Sequence, residues 1–207
     1  MGSLTIRPQS TSRGDTIPLA ILMLSGAGIA TWTLASAAGR IAELVGGGPV
    51  RVRAQLAGTD AGARIAAGAP ELPIEIETAR LVVPDPTMTT VVPLVLEQVL
   101  LGLVVLIVIA CLLAVAASIM RGRVFSSANT RLVGAAGAAA LLGAWLVPLC
   151  ATVGANDAIA QLLGSGLVGA VFVVEPFALV SIAFVVAIAI TTFGVGDRLR
   201  RDTDGLV

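Results

Sequence analysis

Four long apolar runs punctuate the chain, at 17–38, 93–120, 132–154 and 171–193. Each is about 20 residues or longer, the length a helix needs to cross a hydrocarbon core of roughly 30 Å. The second run has no charge after Glu97, and the fourth is interrupted only by Glu175 and Pro176. Lipid offers no partner to a free backbone amide, so runs of this kind are predicted to be helices. The fold class expected is therefore an all-α membrane protein. One domain over 1–207 forms a four transmembrane helix bundle, with a small β-containing extracytoplasmic insert, 39–90, between helices 1 and 2.

Inside that insert the pattern changes to period two, as strands require. Val50-Arg51-Val52-Arg53-Ala54-Gln55-Leu56 places Arg51 and Arg53 on one face; Leu72-Pro73-Ile74-Glu75-Ile76-Glu77 does the same for Glu75 and Glu77. An antiparallel pair, 50–56 with 72–78, would set Arg against Glu across the strands. Val50, Val52, Leu56, Ile74 and Ile76 would then lie on the membrane surface or on the helix ends, and the Gly/Ala-rich stretch 57–70 would form a loop. Such a unit serves either as a sensing or docking surface or as a structural cap.

Arginine sets the orientation. Arg7 and Arg13 precede the first run, Arg121, Arg123 and Arg131 fill the second connection, and Arg198, Arg200 and Arg201 follow the fourth run. The third connection, 155–170, has Asp157 and no basic residue. Both termini are thus expected in the cytoplasm, in a bacterial cytoplasmic membrane crossed several times. The insert carries five Arg, but it is long and has more acids than bases, and long segments translocate largely regardless of charge. Trp32 and Trp145 are expected toward the outer ends of the first and third helices, in the aromatic belt. Ala35-Ser36-Ala37 after an apolar run also resembles a signal-peptide cleavage site, but the run exceeds the usual apolar core of about 7–15 residues, and a retained helix is expected.

Composition narrows the chemistry. Charged residues are 13% of the chain, hydrophobic residues 57%, and all 13 basic residues are Arg. A chain rich in Ala, Gly and Val with Arg as its only base suits a high-GC bacterial genome. Net charge is zero, so direct nucleic-acid binding is not expected. With no His and two Cys, the usual zinc sites are excluded, and no metal or cofactor is expected. Cys111 and Cys150 fall at opposite depths, roughly 20 Å apart on the helical rise, and are expected as small buried apolar groups without a disulfide. No nucleophile–base pair or phosphate-cradling loop is present, so no catalytic residue is assigned and the chain is not expected to be an enzyme.

Glu97 and Glu175 are the acids inside the apolar runs, and an intramembrane ionisable group is by default a functional candidate. Each sits near the N-terminal end of its expected helix, where the dipole favours negative charge, and Pro176 could loosen the fourth helix there. Converging, the two carboxylates could share a proton or cation; apart, they would reach the wet interface. Small residues recur every fourth position at Ala27, Thr31, Ala35 and Gly39, and at Ala135, Ala139 and Gly143 beside Gly134 and Ala138. Such rows pack helices within one bundle or between two copies of the chain.

The cytoplasmic segments hold the other candidates. Ser126 or Ser127 is an N-cap for the third helix, with Phe125 as a staple. Arg121-x-x-x-Phe125-Ser126-x-x-Asn129-x-Arg131-Leu132 resembles the inner-loop signature of an uncharacterised bacterial membrane family, domain of unknown function 2975. The ending Phe193-x-x-Gly196-x-x-Leu199-Arg200-x-Asp202-Thr203-Asp204-Gly205-Leu206-Val207 is similar to that family's C-terminus, and the four runs with a long first loop match as well. Where the family has a Glu shortly before the terminal Phe, Thr191 and Thr192 stand here. The resemblance implies a role in regulation beside a cytoplasmic helix-turn-helix regulator. Phe125, Ser126, Asn129, Arg131, Leu199, Arg200, Asp202 and Asp204 form the candidate partner surface. The function expected is that of a non-enzymatic regulatory, sensing or accessory protein whose partners are the bilayer, a cytoplasmic regulator and a second copy of itself. The alternatives are a small transporter or immunity-type protein using Glu97 and Glu175, and a structural subunit.

Overall fold

The computed structural model describes residues 13–63, 72–121, 126–164 and 169–204. Its elements are α1 (Arg13–Val45), β1 (Val50–Ala63), β2 (Leu72–Val83), α2 (Met88–Met120), α3 (Ser127–Leu163) and α4 (Pro176–Asp204). Four helices are long and apolar enough to cross a membrane. Their apolar side chains stay outside: Leu24, Trp32, Phe177, Val180 and Phe184 are all more than half exposed. None of the most apolar stretch of α4 is buried. Apolar surface on this scale needs a cover other than water, and a bilayer supplies it. The chain is a multi-pass membrane protein with a small two-stranded sheet.

The helices outrun the apolar runs that announce them. α1 continues past residue 38 to Val45, carrying Ala37 and Leu44 on one face, 6% and 2% exposed. It stops where Gly47 takes φ 73°, a left-handed turn that a side chain disfavours. α3 continues through 155–163, which the sequence reading gave to a connection. Ala155, Ala158 and Ile159 repeat at i, i+3 and i+4 and are all buried, so this stretch is an amphipathic helix end. Gly164, at φ 79°, closes it. α4, by contrast, begins at Pro176 rather than at 171. Val171, Val173 and Val174 are β-branched, and the residue before a proline is pushed out of the helical region. Pro176 therefore starts the helix instead of loosening it, and Glu175 caps it, its carbonyl accepting from Leu179 N–H at 3.2 Å.

The chain packs as two compact units: Met1–Thr33 with Val105–Ala140 and Val180–Val207, and Leu34–Val104 with Leu141–Leu179. The second holds the sheet. The expected antiparallel pair is present, but longer, at 50–63 with 72–83. Val50, Val52 and Ala54 share one face and lie opposite Val83, Leu81 and Ala79. Val50, Val52, Ala54 and Val83 are at most 2% exposed, in a core with Leu44, Val91, Leu94, Ala155, Ala158 and Ile159. The apolar strand face thus sits on the helix ends. The expected Arg–Glu cross-strand pairing does not form: Arg51 lies opposite Val82, Arg53 opposite Arg80, and Glu75 opposite Asp60. Burial of Val83 and part of Leu81 sets this register, with Val82 on the exposed face, because a one-residue slip would exchange the faces.

Glycines mark the helix contacts in each unit. In the first, a Cβ at Gly26 would lie 3.5 Å from Ile109, and Gly134 and Gly137 face Ile190 and Val186 of α4. In the second, Gly102 faces Leu34, Gly143 faces Val104, and Gly154 faces Leu94. Gly134 and Gly143 thus confirm part of the small-residue row on α3, while Ala135 and Ala138 are exposed. The row Ala27, Thr31, Ala35 and Gly39 on α1 is exposed throughout. Trp145, half exposed, meets Phe172 edge-on with ring centroids 6.1 Å apart. Cys111 and Cys150 are both free and half-buried.

Candidate functional site

A cavity of about 810 Å³ lies within the second unit. Its charged lining is Arg40, Arg51, Arg53, Arg80, Glu97 and Glu175. Each arrives for a local reason. Arg40 comes from the extension of α1 beyond the first apolar run. It pairs with Glu43 one turn on, at 2.9 Å, and its other guanidinium nitrogen donates to the Arg51 carbonyl, fastening α1 to β1. Arg51 and Arg53 occupy the sheet face opposite the buried valines, and Arg80 shares that face from β2.

Glu97 comes from α2, where its carboxylate accepts a hydrogen bond from Gln98 and the Arg40 and Arg53 guanidiniums are close enough to act on its charge. Glu175 ends the extended segment 169–175. Two hydrogen bonds hold that segment: Ala170 N–H donates to Asn156 Oδ1 at 2.7 Å, and Val171 N–H to the Gln55 carbonyl at 2.8 Å. The two acids picked out from the sequence therefore line one cavity, together with four guanidiniums. Of these six groups only Arg40 is in an ion pair, with Glu43. The rest of the wall is uncharged and mostly apolar, with Leu94, Pro148, Val173 and Leu179 among it and Ser36, Gln55, Gln98 and Thr152 as neutral polar groups.

A second polar cluster closes the start of α2. Asp157 Oδ2 accepts from the hydroxyls of Thr87, Thr89 and Thr90 at 3.2, 3.0 and 2.5 Å, and from Gln161 Nε2 at 2.7 Å. Gln161 also donates to Thr87 and Thr90 at 2.5 and 2.6 Å. Thr90 is fully buried, and the carboxylate sits where the first turn of α2 leaves its amides unsatisfied. This cluster ties α3 to α2 and explains Asp157 structurally. The sequence reading missed it, although Thr87-Met88-Thr89-Thr90 before an apolar run is a helix-start signature.

The candidate partner surface is distributed unevenly. Ser126 is the N-cap of α3: its Oγ accepts from Asn129 N–H at 3.3 Å. Asn129 is 1% exposed, so its side chain is not presented to an approaching partner. Arg131 and Leu199 are exposed. Phe125 lies outside the described residues, as do the side chains of Arg200, Asp202 and Asp204. Contact of Gly134 with Ile190 and of Gly137 with Val186 makes the adjoining stretches of α3 and α4 neighbours, as a joint surface requires. No group of three potential metal ligands occurs among the described residues.

Comparison of the chain with family models, curated proteins and solved structures finds no match.

Proposed function

We propose that the chain is a non-enzymatic sensory or accessory protein of a bacterial cytoplasmic membrane, with both termini inside. The cavity at the hairpin end receives a ligand, and the Arg131 and Leu199 end presents itself to a cytoplasmic partner. One observation carries this reading over transport. The cavity has a charged wall, yet no Asp, Glu or Arg occurs in 98–120, 132–156 or 176–196, nor in 16–39. Transporters place polar or charged groups near the midplane, and here the charges stop at Glu97 and Glu175. The resemblance of the 121–132 and 193–207 segments to a family found beside small regulators supports a DNA-binding partner.

The test is co-purification from native membranes. A helix-turn-helix protein should come with the full chain and be lost when 202–207 are deleted, and its recovery should change in an Arg53→Gln, Glu97→Gln variant. Solute flux in proteoliposomes that needs Glu97 and Glu175 but not the tail would replace this reading with transport.

A further inference from the structure

The geometry points to a phosphate monoester on an apolar tail, a lipid phosphate, as the ligand of the Arg-lined cavity. This deepens the sensory reading above and rests on it. The first argument is charge. Arg40 is already paired with Glu43, so Arg51, Arg53 and Arg80 stand against Glu97 and Glu175 and leave a formal excess of one positive charge on the wall. A phosphate monoester, about −1.5 to −2 at neutral pH, is an anion of the sign that excess attracts.

The second argument is the arrangement of the cations. Arg53 and Arg80 are directly opposed across the strands, with Arg51 on the same face. Like charges in that position destabilise a ladder unless an anion lies between them. The planar guanidinium fork suits phosphate oxygens, which accept two parallel bonds from each. Glu97 and Glu175, on the same wall, can accept from a protonated phosphate oxygen.

The third argument is the apolar half. The cavity is too large for a phosphate alone and falls in the range of about 300–1,000 Å³ typical of small-molecule sites. Leu94, Pro148 and Leu179 form its uncharged wall. Beside it Phe172 and, in the first turn of α4, Phe177 are 36% and 83% exposed. A chain leaving the cavity on that side meets these exposed apolar side chains.

The experiment uses the full chain in detergent, stripped of lipid. Binding of dioleoyl phosphatidic acid, dioleoyl phosphatidylglycerol, dioleoyl phosphatidylcholine and inorganic phosphate is compared by native mass spectrometry and titration calorimetry. Phosphatidic acid should bind at least about ten-fold more tightly than the other two lipids, and inorganic phosphate should compete only weakly. Arg53→Gln with Arg80→Gln should weaken binding by about ten-fold or more, the loss expected for one or two charge-assisted bonds. Arg53→Lys with Arg80→Lys keeps the charge and should fall between, which separates lost recognition from a misfolded hairpin. Arg121→Gln with Arg198→Gln, in the other unit, should stay within about two-fold of wild type.

Equal losses in the two Gln pairs would mean a nonspecific lipid shell and overturn the assignment. Inorganic phosphate binding as tightly as the lipid would remove the apolar half. Failure of every phosphate to bind, with partner recovery still altered by Arg53→Gln, would discard the ligand class and leave the sensory reading standing.

Discussion

Replacing Asp157 by Ala is expected to destabilise the protein by about 1.3–4 kcal/mol, and the figure follows from the bonds it accepts and its place beside α2. Thr87 and Thr89 are exposed, so water takes over their bonds at little net cost. Thr90 is different. Its hydroxyl is fully buried, donates to Asp157 at 2.5 Å and accepts from Gln161 at 2.6 Å. Without the carboxylate its proton has no acceptor, which costs about 1–3 kcal/mol in a buried site. Loss of negative charge beside the first turn of α2 adds about 0.3–1 kcal/mol.

Three variants partition the effect. Asp157→Asn keeps an oxygen acceptor but no charge and should retain much of the stability. Thr90→Val removes the hydroxyl with little change of shape. The double variant Asp157→Ala, Thr90→Val should be less destabilised than the sum of the singles by about 0.5–3 kcal/mol, since the group left unsatisfied is gone. Equilibrium unfolding of the purified full chain in mixed micelles measures all of these. A stability for Asp157→Ala within about 0.5 kcal/mol of wild type, or strict additivity in the double variant, would refute the reasoning.

Other substitutions test the rest of the fold. Gly154→Ala places a Cβ 2.8 Å from Leu94 and 3.3 Å from the Thr90 carbonyl and should cost about 1–3 kcal/mol in the same unfolding assay. Gly134→Ala, whose Cβ would lie 3.8 Å from Ile190, should be neutral or stabilising by up to about 1 kcal/mol. Ser126→Ala removes the cap bond to Asn129 and should cost about 0.5–2 kcal/mol, seen as faster hydrogen exchange in the first turn of α3. Asp85→Cys should react with an impermeant maleimide from outside the cell and Arg121→Cys only after lysis; the reverse would invert the proposed topology. Arg80→Glu should stabilise the hairpin by about 0.2–1 kcal/mol through an attractive cross-strand pair, as thermal unfolding would show, while abolishing binding of the lipid phosphate.

The spanning helices were legible because lipid imposes one rule, continuous apolarity over a fixed length. Their ends were not, because that rule lapses at the membrane surface. Residues 39–45 and 155–163 carry Arg40, Glu43, Asn156 and Asp157, yet they remain helical because Leu44, Ala155, Ala158 and Ile159 find a core. Glu175 was legible as a rare charge, but its setting was misjudged: Pro176 starts a helix here, and the valines before it run extended. The strands were found from their alternation, and their register was missed because Leu81-Val82-Val83 breaks it. Glu97 and Glu175 stood out from the sequence by themselves. Arg40 and Arg80 did not, since ordinary-looking arginines become a site only when contacts far apart in the chain bring them to it. The Asp157 cluster was hidden for the same reason, its partners lying 67–70 residues away.

Five Arg in 39–90 run against the charge bias that orients the rest of the chain. Length explains how such a segment can cross; it does not explain why the arginines are kept. Arg64 lies outside the described residues, and the other four all line one cavity. Stability alone gives little reason for this. Arg53 faces Arg80 where an acid would strengthen the ladder, and Glu75 faces Asp60 further along the same strands. Of these four arginines only Arg40 is in an ion pair. Meanwhile Val50, Val52, Ala54 and Val83, on the opposite face of the same hairpin, are packed into the core. A hairpin selected only as a cap would pair its charges as carefully as it packs its valines. The contrast between the packed valines and the unpaired arginines is the physical ground on which the proposed ligand site is placed there and not among the bare apolar helices.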